Sequence, residues 1–350
     1  MSIPKTQKAL FLPGKGEKLV IETTEVYTPG PGEILVRHES IGLNPADWIL
    51  QETGMFIEKY PFILGLDVAG VVVKLGEGVS RFNIGDRVLR AGGFKNDMDT
   101  FQEYSVYPAE VAAKIPESLT FDQAATIPVC FDTAAIGLYQ TFQPGGGAGL
   151  YPPWLEGGRN KYSGQPIVVF GGSSSLGQFT IQLAKLSGFN PIIATVSPRN
   201  FDLVKSLGAT NPIDRNLPLT SIHEEIKKIT SKPITIVYST IPEPAVQEAA
   251  QGVVSPGGTL VTVGRPIPED KRDLSKKVTH PYGSVLREDN RKFGVELYEK
   301  LSQLIESGEV KPTPVEYVAG GLGAIQEQLY RLKKGEISGR KLVVRPSETS

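Results

Sequence analysis

Cysteine is almost missing from this chain: Cys130 is the single one among 350 residues. That excludes an intrachain disulfide framework and any cysteine-rich metal site. Histidine is also sparse, with His38, His223 and His280 in unrelated contexts. No apolar run approaches the roughly 20 residues that a helix needs to span a bilayer. Neither sign of charge dominates, since 37 Lys and Arg face 38 Asp and Glu for a net charge of −1. Such a balance suggests no patch for nucleic acid or for a charged membrane surface. Repeats with a period of roughly 20–50 residues and low-complexity tracts are missing as well. The opening residues, MSIPKTQKALFLPGKGE, contain neither an apolar signal core nor an arginine-rich amphipathic pattern. These absences lead to the expectation of a soluble cytoplasmic protein that engages neither nucleic acid nor membrane.

What is present centres on residues 165–214. The run IVVF (167–170) is short and wholly apolar, as suits a strand covered on both faces. The small-residue turn GGSSSLG (171–177) follows it. Phe179, Ile181, Leu183 and Leu186 then predict a helix over 178–186, stopped by Gly188. A second buried strand is expected at 192–196. This is a βαβ unit with a phosphate-binding turn at the head of its helix. Aligned on the last glycine of G-x-G-x-x-G, the turn supplies Gly172, Ser174 and Gly177, with serine at the middle position. Small side chains still let the backbone approach a pyrophosphate. Ser173, Ser174 and Ser175 add hydroxyl donors, and Leu176 and Gly177 complete the turn.

The end of the second strand discriminates between dinucleotides. An NAD site usually places an Asp or Glu there to hold the ribose 2′-hydroxyl. Here the strand runs Thr195-Val196-Ser197-Pro198-Arg199-Asn200, with no acid. Ser197 and Arg199 suit a 2′-phosphate, which needs donors and positive charge, so the expected cofactor is NADP(H). Read without a ligand, Arg199 is an ordinary solvated surface charge.

Residues 1 to about 110 read as β-rich, with short alternating segments punctuated by Gly and Pro, which predicts a small barrel. From Thr120 the pattern turns helical, and residues 143–165 form a Gly- and Pro-rich irregular loop. Beyond the βαβ core, helices are expected over 217–229, 243–252 and 290–308, with strands at 234–239 and 259–263. Such alternation predicts a doubly wound parallel sheet. The tail should add a strand, a helix and a last strand, returning to the first domain.

A family resemblance is carried by PGPGEILVR (29–37), GLNPADW (42–48), GLDVAGVV (65–72), FNIGDRV (82–88), FQEY (101–104), the GGSSSLG turn, KSLGA (205–209) and GRKLVV (339–344). Over essentially its whole length the chain resembles a medium-chain dehydrogenase/reductase. NPADW combined with GGSSSLG resembles the fungal trans-acting enoyl reductases and their quinone-oxidoreductase-like relatives. The resemblance implies an α/β protein with a GroES-like β-rich catalytic domain (1–135), a Rossmann NADP-binding domain (136–308), and a C-terminal segment (309–350) returning to the catalytic domain.

Zinc alcohol dehydrogenases of this superfamily bind catalytic zinc through a Cys and a GHE-type His. The matching positions here hold Asn44, Leu66 and Asp67, and the four structural-zinc cysteines are missing, so the expectation is no metal. By the same resemblance Asn44 and Asp47 are the candidate catalytic residues, although Asp47 serves equally well as a helix N-terminal residue. Thr133, Ser239, Val263, Gly264 and Lys341 are expected at the cofactor, with Thr240 and Arg340 beside them. The tyrosine that relatives offer as a proton donor has no counterpart in Thr53-Gly54-Met55-Phe56, and Tyr60 reads as a packing aromatic. Trp48, Phe56 and Trp154 are candidates for an apolar substrate wall or for core packing. The expected reaction is hydride transfer from NADPH to an activated C=C bond or a quinone. The partners would be a small apolar carbonyl-conjugated substrate and, as an option, a synthase, with the protein a monomer or a homodimer. A zinc-independent carbonyl reductase and a non-enzymatic NADPH-binding protein remain as alternatives.

Overall fold

The computed structural model describes residues 3–264 and 266–350. Its contacts divide the chain into two compact units. One comprises the residues up to Val129 with Ser284–Ser307 and Pro312–Ser350; the other comprises Cys130–Gly283 and Gly308–Lys311.

In the first unit, among the described residues, the strands form one sheet of seven and one of three. The centre of the larger sheet is Glu33–Gly42, which pairs antiparallel with Asp67–Leu75 and with Tyr104–Pro108. Lys341–Val344 comes back from the C-terminus to pair antiparallel with the same strand, Val343 opposite Gly42. The core of this unit gathers Leu10, Leu12, Ile41, Leu64, Val68, Leu329 and Leu342. Short non-local antiparallel pairings of this kind suit the alternating, Gly-punctuated segments of the sequence.

In the second unit, among the described residues, six parallel strands lie in the order Asn211–Asp214, Ile192–Val196, Ile167–Phe170, Ile236–Ser239, Thr259–Thr262, Lys277–Thr279. The chain reverses direction across the sheet between Ile167–Phe170 and Ile236–Ser239, the switch point where doubly wound sheets bind ligands. Helices Ser175–Leu186, Phe201–Leu207, Leu219–Ile229 and Pro244–Val253 connect the strands. Residues between Tyr139 and Ile167 form neither helix nor strand, as their Gly and Pro content predicts.

Three features depart from the sequence reading. Asn211–Asp214 is a strand despite Pro212, which an edge position tolerates because its outer side needs no N–H donor. Lys277–Thr279 adds a strand at the opposite edge, too short to show a period. The helix Glu288–Glu306 belongs to the first unit, whereas the expected boundaries kept it with the nucleotide domain. Its backbone and side chains explain why: Tyr298 O accepts from Arg81 Nη2 at 2.6 Å, Ser302 Oγ donates to Lys114 O at 2.9 Å, and Arg291 pairs with Glu110 at 2.6 Å.

Candidate functional site

The phosphate turn of the second unit is built by close backbone contact. A Cβ on Gly177 would stand 2.4 Å from Gly171 O and 2.8 Å from Gly172 Cα, so only glycine lets the helix start this close to the strand. Gly172 is similarly confined, with Ala194 Cβ 2.9 Å from where its own Cβ would lie. Ser174 is the N-cap of Ser175–Leu186: its Oγ accepts from Gly177 N at 3.0 Å and donates to Gly171 O at 2.9 Å. Its hydroxyl therefore holds the turn together. Thr240 braces the same turn, with Oγ1 at 3.1 Å from both Phe170 O and Gly171 O. Ser173, whose carbonyl accepts from Gln178 Nε2 at 2.9 Å, Ser175 and Leu176 line the head of the helix. Its first-turn N–H groups have no acceptor within the helix and present the positive end of its dipole. This cradle fits a pyrophosphate.

At the next strand tip, Ser197 is half-buried and Arg199 exposed. Arg199 makes no ion pair among the described residues, and no acid stands between Val196 and Asn200. A second arginine was not foreseen. Arg215 directly follows Asn211–Asp214, and its N–H donates to Val196 O at 3.0 Å, so both arginines leave neighbouring strands at the same edge of the sheet. The available signal was an Arg after the short segment NPID, which the proline disguised as a loop. Asp214 lies alongside, but its Oδ1 accepts from Asn216 N at 2.9 Å and closes a local turn. Two cations and a serine at this edge fit a 2′-phosphate.

The other strand tips carry the remaining expected residues. Ser239 is buried, Val263 N donates to Ser239 O at 3.3 Å, and Gly264 follows with a φ of +90°. Thr133 is half-buried, and its carbonyl accepts from Tyr238 Oη at 2.8 Å. His280 directly follows the strand Lys277–Thr279, which pairs with Thr259–Thr262; burial, with Arg272 adding to it, holds its imidazole below the usual range. Trp154 packs edge-on against Tyr139 at 5.1 Å, which makes it a packing residue.

In the first unit a buried polar cluster includes Asn44 and Asp67, two of the positions named for zinc ligands. Asn44 Nδ2 donates to Asp67 Oδ2 at 2.8 Å, and Lys341 Nζ forms an ion pair with the same oxygen. Val129 N supplies Asp67 Oδ1 at 2.7 Å. Asp47 Oδ2 accepts from Asn44 N at 2.7 Å, tying down the N-terminus of helix Pro45–Thr53. Its Oδ1 has no hydrogen-bond partner among the described residues, and burial, reinforced by nearby Asp67, pushes the carboxyl well above the usual range. Asn44 and Asp47 thus bind each other and their neighbours, and the ammonium of Lys341 is held by Asp67 rather than left open to a phosphate. Trp48 and Tyr60 pack against the core.

Asp99 anchors the neighbouring loop, with Oδ1 accepting from Gly93 N and Phe94 N at 2.8 Å each. Burial raises its carboxyl to about 8. A raised pKa favours the protonated fold, so this contribution is complete below the unfolded value near 4 and is lost as pH climbs to about 8. Asp99→Asn removes that titration. Its melting temperature relative to wild type should therefore rise steadily between about pH 4 and pH 8; parallel curves across that range would contradict the assignment.

Comparison with known proteins agrees with this geometry. The profile of the alcohol dehydrogenase GroES-like domain matches residues 30–117, and that of the zinc-binding dehydrogenase matches residues 175–303. A dehydrogenase of Aspergillus niger is 34% identical over 357 residues, spanning 97% of this chain and 99% of that protein. The chain is a medium-chain dehydrogenase/reductase. Within the superfamily this oxidoreductase stands with the fungal enoyl- and quinone-reductase-like proteins. It is 31% identical to the enoyl reductase component of lovastatin nonaketide synthase from Aspergillus terreus, over 98% of the chain and 97% of that protein. A quinone oxidoreductase from Pseudomonas syringae has a similar structure, with 25% identity, a TM-score of 0.77, and coverage of 97% and 100% of the two chains. The name of the second profile raises zinc. An amide, a leucine and a carboxylate already neutralised by an ammonium do not fit the tetrahedral N, S and carboxylate set that zinc takes. Among the described residues, no group of three or more His, Cys, Asp or Glu could hold a metal ion.

Proposed function

We propose that this oxidoreductase is an NADPH-dependent reductase of activated carbon–carbon double bonds that works without zinc. The observation that carries this reading is that Asn44 and Asp67, at positions matching zinc ligands, are bound to each other and to Lys341, in a chain that also has the phosphate cradle. Bound NADPH supplies a hydride from C4 of its nicotinamide. The chain's own contribution is to hold the pyrophosphate at Ser173–Gly177, the 2′-phosphate at Ser197, Arg199 and Arg215, and the nicotinamide end near Thr133, Ser239 and Val263. None of these groups acts as a Lewis acid toward a developing alkoxide. An enone or enoyl thioester does not require one, because its own carbonyl spreads the negative charge. The Aspergillus terreus relative, named as a component of a synthase, supports a thioester substrate presented by a synthase partner. The Pseudomonas syringae structure keeps a quinone as the second candidate acceptor.

A deuterium label on C4 of NADPH tests the reaction. The expected result is label at the β-carbon of a reduced enone. Label confined to the carbinol carbon makes the protein a carbonyl reductase. Tight NADPH binding without consumption across enones, enoyl thioesters and quinones leaves only a cofactor-binding protein.

A further inference from the structure

The polar groups named above for the nicotinamide end already have partners within the second unit. Ser239 Oγ donates to Ile241 O at 3.4 Å, Val263 O accepts from Gln247 Nε2 at 2.8 Å, and Thr133 O accepts from Tyr238 Oη at 2.8 Å. His280 is different. Both of its ring nitrogens are buried, and neither makes a hydrogen bond among the described residues. The backbone of Thr262 lies near enough to favour a charged ring, but burial and Arg272 outweigh it, so the imidazole stays below its usual range. The ring is therefore neutral near pH 7, with one N–H to donate and one nitrogen to accept.

Strand register sets the place of this ring. Thr279 pairs with Val261, Val261 with Tyr238, and Tyr238 with Val169. One residue further along, His280 comes level with Thr262, Ser239 and Phe170. Residues level with one another across a sheet put their side chains on the same face. The imidazole thus shares a face with Ser239 at the carboxyl ends of the parallel strands, where such sheets bind ligands. Its neighbours are held firmly. Thr279 Oγ1 donates to Gly146 O at 3.0 Å, Tyr282 N donates to Gly145 O at 2.8 Å, and a Cβ on Gly283 would fall 2.1 Å from Thr133 Oγ1. Buried polar groups are nearly always hydrogen-bonded in folded proteins, and leaving one unmatched costs stability. A ligand that carries the missing group accounts for the exception.

We propose that His280 holds the carboxamide of the nicotinamide, its ring N–H donating to the carboxamide oxygen. The inference rests on the cofactor reading above and adds the side chain that orients the nicotinamide on the sheet. A neutral imidazole suits this uncharged amide better than a phosphate, which calls for positive charge.

Titration calorimetry of NADPH and of 2′-phospho-ADP-ribose, the same molecule without its dihydronicotinamide, provides the test. His280→Leu should weaken NADPH roughly fivefold and change the affinity of the fragment by less than about twofold. His280→Gln, which keeps an N–H donor, should recover most of that loss. The free His280→Leu protein should melt at the wild-type temperature or above it, because the substitution removes an unmatched polar group. A lower melting temperature with equal losses for NADPH and fragment would make His280 a packing residue and overturn the proposal. Unchanged affinity for both ligands, or a wild-type protein that binds the fragment as tightly as NADPH, would overturn it too while leaving the phosphate sites in place. If NADH binds more tightly than NADPH, the 2′-phosphate assignment fails by itself, and NADH against ADP-ribose decides the histidine by the same comparison. Binding of none of the four ligands would sink the cofactor reading and this contact with it.

Discussion

Lys341→Met should destabilise the first unit by about 3–5 kcal/mol, the range for removing one partner of a buried ion pair. Lys341 is 3% exposed and Asp67 is fully buried, so water cannot replace the lost ammonium. Asp67 would keep the hydrogen bonds from Asn44 Nδ2 and Val129 N but would carry an uncompensated charge. Melting temperature should fall by several degrees or more. Asp67→Asn in the same background removes the charge while keeping an acceptor for one of those donors, and it should restore a substantial part of the loss. A single-variant cost below about 1 kcal/mol would mean that the pair is hydrated or replaceable. That would remove the case that this cluster takes the place of a metal site. The same cycle tests whether Lys341 touches the cofactor. If it is purely structural, its loss should alter melting temperature far more than the affinity of the remaining folded protein for a nicotinamide cofactor.

Arg199→Ala should weaken NADPH binding about tenfold or more and leave NADH nearly unchanged. A charge-assisted hydrogen bond is worth roughly 1.5–3 kcal/mol, and an exposed guanidinium belongs at the low end of that range. About 1.4 kcal/mol corresponds to tenfold in affinity. Adding Arg215→Ala should bring the loss for NADPH to roughly a hundredfold, since both arginines leave adjacent strands at the same edge of the sheet. The preference for NADPH should also shrink with added salt, because these charges lie in water. Titration of cofactor fluorescence at two ionic strengths reads all of this directly. Equal weakening of both cofactors would move the 2′-phosphate away from this edge.

Local patterns carried much of the second unit. The apolar run at 167–170 and the apolar run at 192–196 are strands with the bounds the sequence predicts, and GGSSSLG is the turn between strand and helix. These features depend on neighbouring residues, so period and small-residue spacing reveal them. The loss of an acid after Val196 was equally readable, because it concerns one position in a known turn.

What stayed hidden depends on residues far apart in the chain. That the Ser174 hydroxyl meets Gly171 and Thr240 could not be read from the sequence. Arg215 joins Arg199 only because two parallel strands align Val196 with Asp214. Asn44, Asp67 and Lys341 are candidates by resemblance, but whether they face a ligand or each other is decided by strands that pair across nearly 300 residues, as the separation of 274 between Asp67 and Lys341 shows. Phe56 reads equally as a substrate wall or a packing residue, and its backbone gives no hint, because a positive φ leaves no mark on the sequence when the residue is not glycine or asparagine. The sequence alone therefore determined the class of fold, the phosphate turn and the missing acid, all of which rest on local periodicity and sterics. The tertiary structure alone decided which polar groups remain free for a ligand, because that depends on the partners that non-local strand pairing delivers to each buried donor and acceptor.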